Sequence, residues 1–187
     1  MIVVDIETTG MDPKRNSILS IGAVDFDRPD NTFYGECRAD VNAEVNPFSL
    51  KINGFTRRQI SDRKKQSSSE LIRSFLGWAS GIKDRTLAGD NVWFDIGFLK
   101  ENLRRMNAKW PFGRKSVELH EISPEISNLG WSLDVVLGLV GIPPRDSPHN
   151  ALNDALLEAE AMSRILGGRN LIKSLSRHPI PDSLRKD

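Results

Sequence analysis

The chain opens on an apolar, β-branched run from Met1 to Ile6, and a second run of the same character spans Ile18 to Phe26. Short apolar runs of this kind, bounded by turn residues, predict buried strands. Thr32 to Ala39 is read as a third. Gly10, Pro13 and Asn16 fall between the first two runs and supply a turn, so the opening of the chain is expected to form an antiparallel hairpin or meander.

Further along, the spacing becomes helical. Leu71, Ile72, Phe75, Leu76 and Trp78 recur at helical intervals behind the capping serines Ser67 to Ser69, which predicts a helix closing near Gly81. Thr86 to Ala88 predicts a short strand, and Phe94, Phe98, Leu99, Leu103 and Met106 mark a second helix. Ser116 to Ile122 is expected as a strand. Leu133, Val136, Leu137 and Val140 predict a third helix that ends at Gly141, with Pro143 and Pro144 as its stop. A last helix runs from about Asn150 to Leu166, with Ala151, Ala155, Leu156, Ala159, Met162 and Ile165 among its packing positions. Strands first, then helix and strand in alternation, predict an α/β fold with a mixed central sheet flanked by helices. Residues 1–166 form the expected domain, and residues 167–187 a polar C-terminal tail that extends from it or packs on it.

Composition narrows this picture without redirecting it. At 187 residues, with 39% apolar and 27% charged side chains, the chain has the balance of one soluble globular domain. No stretch approaches the ~20 continuous apolar residues of a spanning helix, and no basic segment leads into an apolar leader, so the protein is expected to be free of membrane and to begin at Met1. A single cysteine, Cys37, makes no intrachain disulfide and suits the cytoplasm. With 26 basic and 25 acidic side chains, the charge balance carries no signature of avid duplex binding. It leaves room for an enzyme that grips one strand end. Arg57, Arg58, Arg63, Lys64 and Lys65 form a basic group suited to a nucleic-acid backbone, and equally to a solvated loop.

Three clusters carry candidate chemistry. Asp5 and Glu7 close the first strand and, two apart, point to one face. Side-by-side carboxylates repel unless a cation or proton compensates, which is the reason to read them as ligands; a solvated strand end is the plain alternative. Asp95 sits in NVWFDIGFL at the start of the second helix, where an acid also favours the helix dipole. His149 and Asp154 sit in PHNALNDA. Five helical residues turn through about 500°, so the two share no helical face. The preceding prolines place His149 on a loop, with Asp154 anchored on the helix.

In order and spacing, DIETTG, NVWFDIGFL and HNALNDA resemble the three signature motifs of the DEDD exonuclease superfamily, in its histidine-bearing DEDDh branch. The resemblance covers about residues 1 to 166 and implies a ribonuclease H-like fold. It implies that Asp5, Glu7, Asp95 and Asp154 hold two divalent ions, Mg2+ or Mn2+, and that His149 is the general base. The implied reaction is 3'-to-5' hydrolysis from the 3' end of single-stranded DNA or RNA, with release of nucleoside 5'-monophosphates. Thr8, Thr9, Gly10 and Phe94 match positions that approach the terminal nucleotide. KINGFT is similar to a family segment in which Ile52 wedges against the terminal base, with Asn53 where histidine is more usual. Asp90 also stands where many relatives have histidine. Relatives include monomers and homodimers. A non-catalytic nucleic-acid-binding or scaffolding module of the same fold is the alternative, although none of the five residues is missing.

Overall fold

The computed structural model describes residues 1–123 and 132–185. The last two residues of the tail, Lys186 and Asp187, lie outside the described set. Five strands, β1 (Ile2–Thr8), β2 (Ile18–Asp25), β3 (Thr32–Glu36), β4 (Leu87–Gly89) and β5 (Ser116–Glu118), form one mixed sheet in the order β3-β2-β1-β4-β5. The first three pair antiparallel, as hairpin-linked strands do, whereas β4 and β5 run parallel to β1. Parallel pairing requires a crossover, and the helices provide it.

The described α-helices are α1 (Pro47–Asn53), α2 (Arg57–Ile60), α3 (Ser68–Ser80), α4 (Val92–Arg105), α5 (Leu133–Leu139) and α6 (Ala151–Gly167). Each strand face has its own core. Ile2, Val4 and Ile6 of β1 point toward α3 and α4, packing with Phe75, Phe98 and Leu99. Val3 points the other way, toward Val136 and Leu137 of α5 and Ala155, Ala159 and Met162 of α6. Period-two alternation therefore puts Asp5 and Glu7 on the α6 face.

Two expectations need correction. The segment Ser116–Ile122 is a strand only to Glu118; Leu119–Glu121 turns into a 3-10 helix. At that bend the Glu118 carboxylate accepts the backbone amides of Asn91 and Val92 at 2.9 and 3.0 Å. The third strand stops at Glu36 rather than Ala39. In addition, the segment around Arg57, for which a solvated loop is one of two readings, begins with a capped helical turn, closed by a reciprocal Thr56–Gln59 capping box.

Beyond α6, the chain is clasped against the domain. Arg164 and Glu160 pair at 2.7 Å, both fully buried. Arg164 donates to the Val140, Leu175 and His178 carbonyls, and Glu160 accepts the Leu171 and Ile172 amides. A buried ion pair is tolerated where its remaining hydrogen-bonding capacity is met, and here the backbone of the tail meets it.

Candidate active site

Asp5 and Glu7 stand within β1, which runs on to Thr8 with a register irregularity between Glu7 and Thr8. Asp154 lies in the first turn of α6, and Asn150 caps that helix by accepting the Asn153 amide. His149 lies just outside the helix, held by its backbone amide to the Ile52 carbonyl at 2.9 Å. The same junction packs Pro148 against Gly54, whose left-handed conformation (φ 72°) ends α1. Ligand atoms of Glu7, His149 and Asp154 lie within 4.8 Å of one another, a spacing a metal ion can bridge.

Asp95 enters from the other side of the sheet, in the first turn of α4. No side chain of Asn91 caps that helix, and Asn91 is itself left-handed at φ 52°. The Glu118 carboxylate substitutes for the missing cap, fixing the turn that carries Phe94 and Asp95. The Phe94 ring leans on Phe98 at 4.9 Å.

The electrostatics are those of an acidic pit. Burial, then the charges of Asp95, Glu7 and Asp154, raise the Asp5 carboxyl well above its ordinary range. Burial and Asp154 push Glu7 up to about 7. Asp95 is likewise raised, chiefly by burial, and Asp154 follows for the same reason, tempered by Arg145. Asp5 Oδ2 and Asp95 Oδ1 are buried with no hydrogen-bond partner among the described residues. Orphaned acceptors of this kind are rare, and each calls for a proton or a cation.

Three residues that the sequence patterns did not single out belong to this environment. Arg145 reaches Asp134 at 3.0 Å, Asp154 at 3.3 Å and His149 Nδ1 at 3.5 Å. Its signal was a lone cation in the proline-rich loop before His149. Glu158 lies one helical turn beyond Asp154, is 1% exposed, and its Oε2 has no hydrogen-bond partner among the described residues. Burial and then Asp5, Asp90, Asp95 and Asp154 hold its carboxyl well above the usual range. Helical spacing from Asp154 was the available clue. His120 is buried, with Nε2 2.7 Å from Asp90 Oδ1, so Asp90 has an imidazole beside it.

The expected substrate contacts are placed as follows. Thr8 donates to the Gly10 carbonyl at 2.6 Å, and Thr9 to the Glu44 carbonyl at 2.7 Å. A side chain on Gly10 would collide with Asn16 at 2.5 Å, so the turn is closed tightly. Asn53 is buried; its amide donates to the Thr8 carbonyl and it also hydrogen-bonds Glu7, while its Oδ1 accepts the Phe55 amide. Both of its polar ends are thus engaged within the protein. Ile52 is half-buried at the end of α1, linked to His149 through its carbonyl.

Comparison with known proteins places this geometry in a wider group. A family model described as exonuclease matches residues 2–162. A PolC-type DNA polymerase III of Thermotoga maritima is 28% identical over 167 residues, covering 88% of this chain but 12% of the polymerase. The chain thus spans about an eighth of that relative's length. The 3'-5' DNA exonuclease Cap18 of Escherichia coli is 24% identical over 182 residues, covering 94% of this chain and 96% of that protein. In three dimensions, the nuclease domain of 3'hExo, a DEDDh family member bound to rAMP, superposes with a TM-score of 0.72 at 19% identity, covering 92% of this chain and 94% of that one. The fold is therefore the ribonuclease H-like fold of the DEDDh exonucleases. None of the described helices is long and apolar enough to cross a membrane.

Proposed function

The chain belongs to this exonuclease family, and on that footing we propose that it removes nucleotides from the 3' end of single-stranded DNA or RNA, releasing nucleoside 5'-monophosphates. The observation that carries the reading is the convergence of Glu7, His149 and Asp154 within 4.8 Å, beside the buried, partnerless oxygens of Asp5 and Asp95. Carboxylates buried this way are costly unless a cation compensates them, so the donor set fits divalent metal. Asp5, Glu7, Asp95 and Asp154 would hold two ions, and all-oxygen carboxylate donors favour Mg2+ or Mn2+. Such ions, when bound, supply an activated water near neutral pH and neutralise charge on the phosphate.

The rest of the chemistry falls to the chain's own side chains. His149 Nδ1 faces Arg145 and Asp154 at 3.5 and 3.6 Å, which leaves Nε2 to take the proton of the attacking water. Burial, and then Arg145, hold the His149 imidazole below its ordinary value of 6.5, so it is neutral and able to accept at pH 7. The buried Thr8, Thr9 and Gly10 turn underlies the place of the terminal nucleotide in this reading, with Ile52 and Phe94 against its base and sugar. Asn53 acts from beneath, bracing Glu7. The relative Cap18 is a DNA exonuclease, whereas the 3'hExo domain is bound to a ribonucleotide; both sugars therefore stay within the proposal. Residues 1–166 are the catalytic unit in this reading, acting in the cytoplasm as a monomer or homodimer.

The test is a panel of 5'-labelled single strands of DNA and RNA, and their duplexes, with Mg2+, Mn2+ or chelator. Stepwise shortening of a single strand that chelator abolishes is expected. A non-catalytic binding module predicts retention without cleavage, and that result on every polymer would overturn the reading.

A further inference from the structure

Trp93 lies between Val92 and Phe94 in NVWFDIGFL, yet it is 57% exposed. An indole left in solvent forgoes the burial that makes tryptophan valuable to a core. It lines a cavity of about 240 Å³ between α4 and the segment that enters β5, with Lys100, Trp110, Arg114, Lys115 and Ser116 among the other walls. Trp110 is a fixed wall: its indole donates to the Gly113 carbonyl at 3.3 Å and its ring meets Phe112 at 5.0 Å. Lys100 Nζ sits over the Trp110 ring, 5.4 Å from its centre. Arg114 and Lys115 are exposed, and neither they nor Lys100 form an ion pair among the described residues. Ser116 Oγ is buried without a hydrogen-bond partner among the described residues.

In a chain of net charge +1, three cations without an ion pair among the described residues, around one open indole, are a local concentration of positive charge. Protein-protein interface cores are depleted in lysine. A π-face, a hydroxyl and several cations together match a polyanion whose bases also have π-faces. The groove follows α4 from Trp93 to Lys100, about 10 Å by helical rise. It begins two residues from Asp95, and none of Asp5, Glu7, Asp95, His149 or Asp154 is among its walls.

We propose that this groove binds a nucleotide of a single nucleic-acid strand outside the catalytic cleft, the base stacking on Trp93 and the phosphates meeting Lys100, Arg114 and Lys115. The inference rests on the exonuclease reading and adds to it a reason for the enzyme to prefer long strands over short ones.

The experiment uses the full chain in chelator, which prevents hydrolysis, with fluorescein-labelled oligothymidylate or oligouridylate, whichever the wild type degrades with Mg2+. Oligomers of about 4 and about 16 nucleotides bracket one site. The wild type should bind the long oligomer more tightly. Trp93→Ala should lose about tenfold in affinity for the long oligomer, as removal of one stacking platform predicts, and Trp93→Phe should recover part of it. An Arg114→Gln, Lys115→Gln double variant should lower the slope of log affinity against log salt by about 1.4, at ~0.7 per phosphate contact on a single strand. Melting temperatures confirm that each variant is folded. If the wild type degrades a polymer while both variants bind the long oligomer with its affinity and salt slope, the groove proposal is wrong and the exonuclease reading stands. Variants that leave strand binding untouched but change the oligomeric state also overturn it, assigning the groove to a protein interface. A wild type that neither binds nor degrades any strand removes the exonuclease reading, and the groove with it.

Discussion

Asp5 stands directly across the sheet from Gly22, and the absent side chain of Gly22 is what lets the start of α6 close over Asp5. A Cβ on Gly22 would lie 2.2 Å from the backbone of Ala151 and Leu152, far inside contact distance. The acid of β1 and the acid of α6 are thus brought together by a glycine that belongs to neither element.

Gly22→Ala should therefore lower stability by about 1–3 kcal/mol, the usual cost of overpacking, and move Asp154 away from the sheet. Thermal melts with and without Mg2+ measure both effects. The expected result is a lower melting temperature together with a smaller Mg2+-induced gain. A variant with the full gain would show that α6 does not need this approach.

His149→Ala should reduce turnover by about 100-fold or more, the scale of a lost general base, while the melting temperature stays close to wild type. In the wild type, a base held below 6.5 places the acid limb of the rate profile below that pH. An acid limb centred well above 6.5 would assign the proton transfer to another group.

Metal-free stability should fall as pH rises. Glu7 has a folded value of about 7 against an ordinary 4.5, and a group raised on folding stabilises below its unfolded value and loses that contribution as pH climbs through the folded one. In chelator, the melting temperature is thus expected to decline between about pH 5 and 8, and Mg2+ should restore it most at the upper end. A chelated protein whose stability rises over that window would contradict the acidic-pit description.

Glu158→Gln keeps the shape of the buried group and removes its titration. Since burial and four neighbouring acids hold the Glu158 carboxyl well above the usual range, the variant should show a shallower decline in melting temperature as pH rises, measured in chelator. Identical pH profiles for the two proteins would mean that Glu158 does not sense the acids around it.

The elements that bury a regular stripe were legible in the sequence. β1, β2, α3, α4 and α6 each repeat their apolar positions long enough for the period to show. Where the fold depends on single contacts, no period exists to read. Leu50 and Ile60 are the lone buried apolar residues of α1 and α2, so neither helix has a stripe. The early end of β5 follows from Glu118 serving as a remote cap for α4, a contact across 26 residues. The five proposed site residues fall in motifs, and the structure brings ligand atoms of Glu7, His149 and Asp154 within 4.8 Å of one another. Arg145 and Glu158 fall in none of the residue roles those motifs assign, and the folded arrangement shows what they face.

The central claim is that one carboxylate-histidine site removes nucleotides from a 3' end. The most direct measurement follows a 5'-labelled single strand over time with Mg2+, comparing wild type with Asp5→Asn prepared in parallel. A ladder that shortens one nucleotide at a time from the 3' end, stopped by chelator and slowed by about a hundredfold or more in Asp5→Asn, is the predicted result. Internal cuts, an intact strand, or an Asp5→Asn protein that degrades at the wild-type rate would contradict it.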